Sequence, residues 1–184
     1  MPVRPTERSD SDLERLLSGG DPRSLEGVEQ AIASVWSDRA TLGVLFECLF
    51  SADEVVRMRA SDALEKVARS RSELFADFKQ RLLGEVARIE QPSVQWHLAQ
   101  ILAEIDLTVD ERERAVAILK QNLERYDDWI VLNLTLQALA QFAQHDPRLR
   151  DELIPILHHH QKSSRKSIAK RATRLLDELQ RESS

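Results

Sequence analysis

The sequence predicts an all-α protein, an array of about four helical hairpins behind an N-terminal helical cap. Three observations carry the prediction. The first is a repeat: Val56, Val94, Val131 and Ile168 stand 38, 37 and 37 residues apart. The same steps relate Ala60, Leu98, Thr135 and Ala172, then Ala63, Ile101, Ala138 and Leu175, then Leu64, Leu102, Leu139 and Leu176, and last Val67, Ile105, Phe142 and Leu179. A period of that length marks a solenoid, in which a unit too small to bury its own apolar face buries it on the next. The second is spacing within a unit, because positions 56, 60, 63, 64 and 67 share one stripe of a helix. The third is composition: 5 Gly and 6 Pro in 184 residues, with abundant Leu, Ala, Glu, Arg and Gln, favour helix because unbranched side chains lose little rotamer freedom there.

Taken in order, residues 1–9 are expected to be disordered and residues 10–184 to form one domain. A short helix around Asp10 to Leu17 ends at Gly19-Gly20, where left-handed backbone is freely available. Asp21-Pro22 reads as a cap followed by a first-turn proline. Leu25, Val28, Ala31, Ile32 and Val35 follow at helical spacing as a worn copy of the stripe, so residues 10–37 are assigned to the cap. The first repeat, about 39–70, pairs a helix bearing Leu42, Leu45, Phe46 and Leu49 with the stripe helix, whose start carries the capping-box spacing Ser51 to Glu54. The second, about 72–107, starts its second helix near Pro92. The third, about 108–144, opens on the capping-box spacing Thr108 to Glu111 and turns at 126–128, where Asp127-Asp128 caps the helix from Trp129. The fourth, about 146–181, opens on Asp146-Pro147, contains Pro155, which should kink its first helix, and closes with a helix over 163–180. Leu45, Leu82, Leu119 and Ile156 keep a step of 37 throughout. The one step of 38 therefore places a single-residue insertion in the second repeat's turn.

A formal charge of −5, from 26 basic and 31 acidic residues, suits a soluble protein and argues against wholesale attraction to nucleic acid or anionic membranes. The lone cysteine, Cys48, excludes an intramolecular disulfide and a cysteine zinc site; among Leu45, Phe46 and Leu49 it reads as a small buried thiol. Residues 1–12 lack the apolar run of a secretory signal or anchor. The most apolar stretch, 129–143, is interrupted by Asn133, Thr135, Gln137 and Gln141 and is too short to span a bilayer. Together these point to a cytoplasmic protein. No phosphate-binding glycine loop, nucleophile elbow or dinucleotide fingerprint occurs, so no catalytic residue and no cofactor is assigned. Consecutive histidines on a helix point about 100° apart, so His158-His159-His160 is not read as a metal site.

The pattern around Asp53, Val56-Arg57, Ala60, Ala63-Leu64 and Val67, preceded by an apolar helix, resembles a HEAT repeat of the armadillo-like α-solenoid family. Residues 39 to 181 share the apolar columns, but later repeats show Val94-Gln95, Val131-Leu132 and Ile168-Ala169 in place of the valine-arginine pair. The resemblance implies antiparallel helix pairs stacked into a right-handed α-α superhelix, with second helices lining a concave surface that binds proteins or, in some members, nucleic acid. It also implies that such a chain is an adaptor or scaffold rather than an enzyme. Alkylpurine DNA glycosylases and bilin-lyase-like accessory proteins are HEAT-like relatives that depart from that role.

On the side of each second helix away from the stripe, the period generates a row of Met58, Trp96, Asn133 and Lys170 and a second row of Asp62, Gln100, Gln137 and Arg174. Within these rows Trp96 is the natural anchor, since one rigid ring desolvates a large area; in a helical core a tryptophan simply fills space. Trp36 and Trp129 read as structural. The expected ligand is a protein or peptide segment laid against Met58 and Trp96, hydrogen-bonded by Gln100, Asn133 and Gln137, with an acidic residue near Lys170 or Arg174. A basic run of Lys162, Arg165, Lys166, Lys170, Arg171 and Arg174 contains no acid and offers an anionic partner a landing place, although a solvated terminal face gives the same composition.

Overall fold

A computed structural model describes residues 12–21 and 24–181 of the chain. Among these residues the fold is all-α, without a β-strand. Helix α1 covers residues 12–17. It is followed by α2 (Val28–Ser37), α3 (Thr41–Glu47) with a 3-10 turn at Cys48–Phe50, and α4 (Glu54–Ser70). Next come a 3-10 segment at Ser72–Phe78, α5 (Lys79–Leu82), a 3-10 turn at Val86–Arg88 and α6 (Pro92–Glu104). The chain ends in α7 (Val109–Arg125), α8 (Trp129–Ala143), α9 (Pro147–Gln161) and α10 (Lys166–Arg181).

The stripe positions decide which helices touch. Every one of them, from Val56 to Leu179, is buried, and the helices that carry them pack in succession: α4 on α6, α6 on α8, α8 on α10, with α2 against α4. The other helices lie against this row, α7 on α8 and α9 on both α8 and α10. A single apolar core runs from Leu13 to Leu179. In the first-helix column Leu45, Leu82 and Leu119 are fully enclosed, while Ile156 is partly buried at the core's edge.

Helix starts follow capping chemistry. Thr108 and Glu111 form the reciprocal box, and Asp128 and Asp146 each accept two backbone N–H groups at the heads of α8 and α9. At α4 the box expected from Ser51 to Glu54 is replaced by a cap at Asp53, whose Oδ1 accepts from Val55 N at 2.8 Å, while Ser51 Oγ accepts from Asp53 N at 3.1 Å. A carboxylate directly before the first turn is the better acceptor and takes the position. The cap also departs from expectation. Helix α2 starts at Val28 rather than at Asp21, and Leu25 lies outside it, 48% exposed; Pro22 lies outside the described residues. Gly27 precedes the helix at φ 81°, and a Cβ there would run into the Leu16 carbonyl, so only glycine lets the chain turn so tightly over α1. The first-helix segment of the second repeat is broken into 3-10 turns around α5, and Gln95 Nε2 donates to the carbonyls of Val86 and Ile89 at its end, at 3.0 and 2.8 Å. Helix α9 runs unbroken through Pro155, and α10 begins at Lys166 after a turn in which Ser163 Oγ accepts from Arg165 N.

A buried side chain of α4 ties down the segment between α1 and α2. Arg59 of α4 is fully buried. Its Nε donates to Ser24 O at 3.0 Å, Nη1 to Leu17 O and Gly19 O at 2.9 Å each, and Nη2 to Asp21 O at 2.9 Å and Ser24 Oγ at 3.1 Å. All five guanidinium protons are therefore used, and carbonyls left over at the end of α1, where the helix dipole is negative, receive a cation. We expect Arg59→Met to lower the unfolding free energy by about 3 kcal/mol or more, since several buried carbonyls lose their donor at once, and to make residues 18–27 susceptible to proteolysis. A loss below about 1 kcal/mol in urea titration would mean that water satisfies those carbonyls instead. Leu102→Ala, at a fully enclosed stripe position, should cost about 2 to 5 kcal/mol through the cavity it leaves.

Candidate functional site

On the side of α4 and α6 away from the apolar stripe, five polar or amphipathic side chains meet. Trp96 is partly buried and His97, next to it, is buried. The indole Nε1 donates to His97 Nε2 at 3.0 Å, His97 Nδ1 stands 2.8 Å from Ser61 Oγ, and Ser61 Oγ donates to the Met58 carbonyl at 2.7 Å. An indole N–H can only donate, so Nε2 carries a lone pair and the neutral ring holds its proton on Nδ1. The donors thus run in one direction, from Trp96 through His97 and Ser61 to Met58. Asp62 Oδ1 is 3.5 Å from His97 Nε2, and Asp62 Oδ2 is 3.0 Å from Lys66 Nζ. Burial alone would raise the Asp62 carboxyl, but its closeness to His97 and Lys66 outweighs that and brings it below its usual value.

Serine, histidine and aspartate together invite comparison with a nucleophilic triad, and the geometry answers it. Ser61 is 1% exposed and its proton points at the Met58 carbonyl. The imidazole donates to the hydroxyl instead of accepting from it, which is the reverse of what activating a nucleophile requires. The arrangement holds Trp96 in place.

The two predicted rows divide into two groups. Met58, Trp96 and Gln100 lie on α4 and α6, where Gln100 Nε2 reaches Glu65 Oε1 at 3.5 Å and Glu65 also accepts from Arg69. Gln137 on α8 meets Arg171 and Arg174 on α10. Its one carbonyl oxygen accepts from Arg171 Nη1 at 2.6 Å and Arg174 Nη2 at 2.5 Å. Burial, followed by the Arg174 charge, lowers the pKa of Arg171. Asn133 is nearly enclosed and donates to its own helix at Trp129 O, 2.8 Å away. Elsewhere in the basic run, Arg165 pairs with Asp127 at 2.8 Å, while Lys162, Lys166 and the exposed Lys170 carry no ion pair among the described residues. Among the described residues no group of three His, Cys, Asp or Glu is placed to hold a metal ion, and no helix is long and apolar enough to cross a membrane. Cys48 is buried.

Sequence reasoning missed Ser61, His97 and Arg59, although the repeat contains a signal for two of them. Advancing position 59 by the same steps gives His97, Leu134 and Arg171, so three of four copies place a nitrogen-bearing side chain beside the stripe. Each reaches back one unit: Arg59 to residues 17–24, His97 to Ser61 and Arg171 to Gln137. No protein-family model matches this chain, and no curated protein matches it either.

The Asp62 contacts make a pH prediction. A carboxyl held below its usual value of 3.8 contributes stability that is fully present above that pH and is lost as pH falls through the lower folded value. The margin by which wild-type protein exceeds Asp62→Asn in stability should therefore shrink as the solution is acidified below pH 3.8. Parallel curves down to full acid denaturation would mean that Asp62 contributes nothing as an ion.

Proposed function

We propose that this chain is a HEAT-like α-solenoid, a non-enzymatic cytoplasmic adaptor that holds a protein segment along the face made by α4, α6, α8 and α10. The observation that carries the proposal is a partly buried tryptophan fixed by a buried hydrogen-bond chain, set among the amides and charges of successive helices. A ring locked in this way loses little freedom when a ligand covers it, and interfaces concentrate affinity on such rings.

Supporting the solenoid reading, second helices pack in succession, and the side-chain bonds between them span about one repeat. Arg57 Nε donates to Gln91 Oε1, 34 residues on, Gln141 Nε2 donates to Ala103 O, 38 residues back, and Lys66 pairs with Glu29, 37 residues back. Contacts of that range belong to a chain in which each unit touches its neighbours. Four helices with axes about 8 to 10 Å apart present a face about 25 to 30 Å long, enough for an extended segment or one helix. The arginines at Gln137 favour a ligand with an acid toward its α10 end. Supporting a binding role over catalysis, the only serine–histidine pair described has its protons committed the wrong way for activation.

The test is capture of partners from native cell extract by wild type, Trp96→Ala and a Lys170→Glu/Arg174→Glu variant, each first shown to keep its helicity and melting temperature. A genuine face ligand should bind Trp96→Ala roughly 30-fold or more weakly, the weight of an interface hot spot, and should also weaken on charge reversal. A partner held equally by all three proteins sinks the proposal. One lost only on charge reversal relocates the site to α10.

A further inference from the structure

We propose that His97 is a proton-operated latch on Trp96, which makes ligand binding at that tryptophan sensitive to pH. The binding half rests on the proposed adaptor role; the latch rests on the hydrogen-bond geometry alone.

In the latched state every donor is assigned. The indole N–H can only donate, so it needs the lone pair of His97 Nε2, and Nδ1 then carries the ring proton toward Ser61 Oγ, whose own proton goes to Met58 O. No alternative proton placement keeps all three bonds. Adding one proton puts an N–H on Nε2, directly against the indole N–H 3.0 Å away. Two donors then face one another, and the Trp96 bond is lost. An acceptor is already in place for the new proton, because Asp62 Oδ1 is 3.5 Å from Nε2. Lys66, at 3.0 Å from the other carboxylate oxygen, helps keep Asp62 ionised. Protonation therefore exchanges Trp96→His97 for His97→Asp62 and leaves the indole without that bond.

The surroundings give no competing control. From α4 the nearby charges are Asp62 and Lys66, with Glu65 and Arg69 one turn further on. On α6 itself the other charged side chain is Glu104. Helix α8, which packs on α6, contains no acidic, basic, histidine, tyrosine or cysteine residue. Helix α7 and the 3-10 turn at Val86–Arg88 meet α6 through Gln95, which bonds Asn122 and Val86 O. Two residues before His97, that side chain leaves the helix on the other side. The proton state of His97 is thus read against Asp62. A latched ring is a rigid platform, whereas a released one must be reordered by its ligand, so affinity at Trp96 should fall as the solution is acidified.

The experiment uses the full chain with Trp36→Phe and Trp129→Phe, which leaves Trp96 as the sole indole of three. Both replaced residues are exposed, at 45% and 52%. Long-range 1H–15N spectra of His97 at about pH 8 should show the neutral Nδ1–H tautomer. On titration to about pH 5, the range where imidazoles exchange their proton, Trp96 emission should change in one step that coincides with His97 protonation. Adding His97→Gln should abolish that step. The latch is overturned by an Nε2–H tautomer at about pH 8, by a His97 ring that stays neutral to about pH 5, or by flat Trp96 emission while His97 titrates. Should the latch behave as described while partner capture ignores Trp96→Ala, the adaptor face would be lost and the latch would stand.

Discussion

The constraint on which this structure depends is that each second helix must bury apolar surface on two neighbours at once. Small residues at the contact make this possible. Ala60 and Ala63 in α4, Ala99 in α6, Ala138 in α8 and Ala172 in α10 are all enclosed, and a side chain that stops at Cβ lets helix axes approach closely. How far the apolar surface wraps around a helix then depends on its number of neighbours. Helix α8, in contact with α6, α7, α9 and α10, buries side chains on nearly every side and contains no charged residue. Helix α10, next to α8 and α9, buries Ile168, Ala172, Leu175, Leu176 and Leu179 and is charged elsewhere. A narrow stripe with a polar remainder is what a helix needs when only one side is covered. The basic run of α10 is thus partly a consequence of its position, and Gln137 with Arg171 and Arg174 is the part that position does not explain.

The start of the array requires a different solution. Helix α1 is short, and its last carbonyls would be left without donors near the core. Arg59 meets them with five donors held in one planar fork. Gly27 makes the same junction possible from the backbone side, because no other residue turns the chain over Leu16 without a clash. The first and last described helices are therefore set by different means, a buried cation at α1 and a solvated cationic face on α10.

What could be read from the chain was whatever local spacing records. The stripes, the Thr108 box and the caps at Asp128 and Asp146 are written in residues a few positions apart, and all are found. Arg59 was illegible because its partners are backbone carbonyls 35 to 42 residues away, and carbonyls have no residue identity. The contacts of Gln95 were hidden for the same reason, since its partners are the carbonyls of Val86 and Ile89. On the candidate site, helical arithmetic set Trp96, Gln100, Gln137 and Arg174 off the stripe, and none of them is enclosed, but it treats each helix as isolated. It therefore set Asn133 on an open face, where the packed helices enclose it to 5% exposure, and it read Arg171 as one charge in a run instead of Gln137's partner.

Position 59 and its copies show how one register serves several ends. A side chain at that place borders the stripe and points back at the preceding unit, so it is removed from water yet within reach of polar groups. Arginine there locks the cap, because all its donors are engaged. Leucine at position 134, half-buried in the one of these helices without a charged residue, offers no polar group to the preceding unit. Arginine at 171 reaches Gln137 from a half-buried site. Histidine at 97 is the one member whose bonding depends on a proton, because the same ring nitrogen accepts from Trp96 when bare and must find Asp62 when protonated. Since the neighbouring copies lack that property, the responsive element sits only where the partly exposed tryptophan does, and the geometry of the repeat confines its effect to that face.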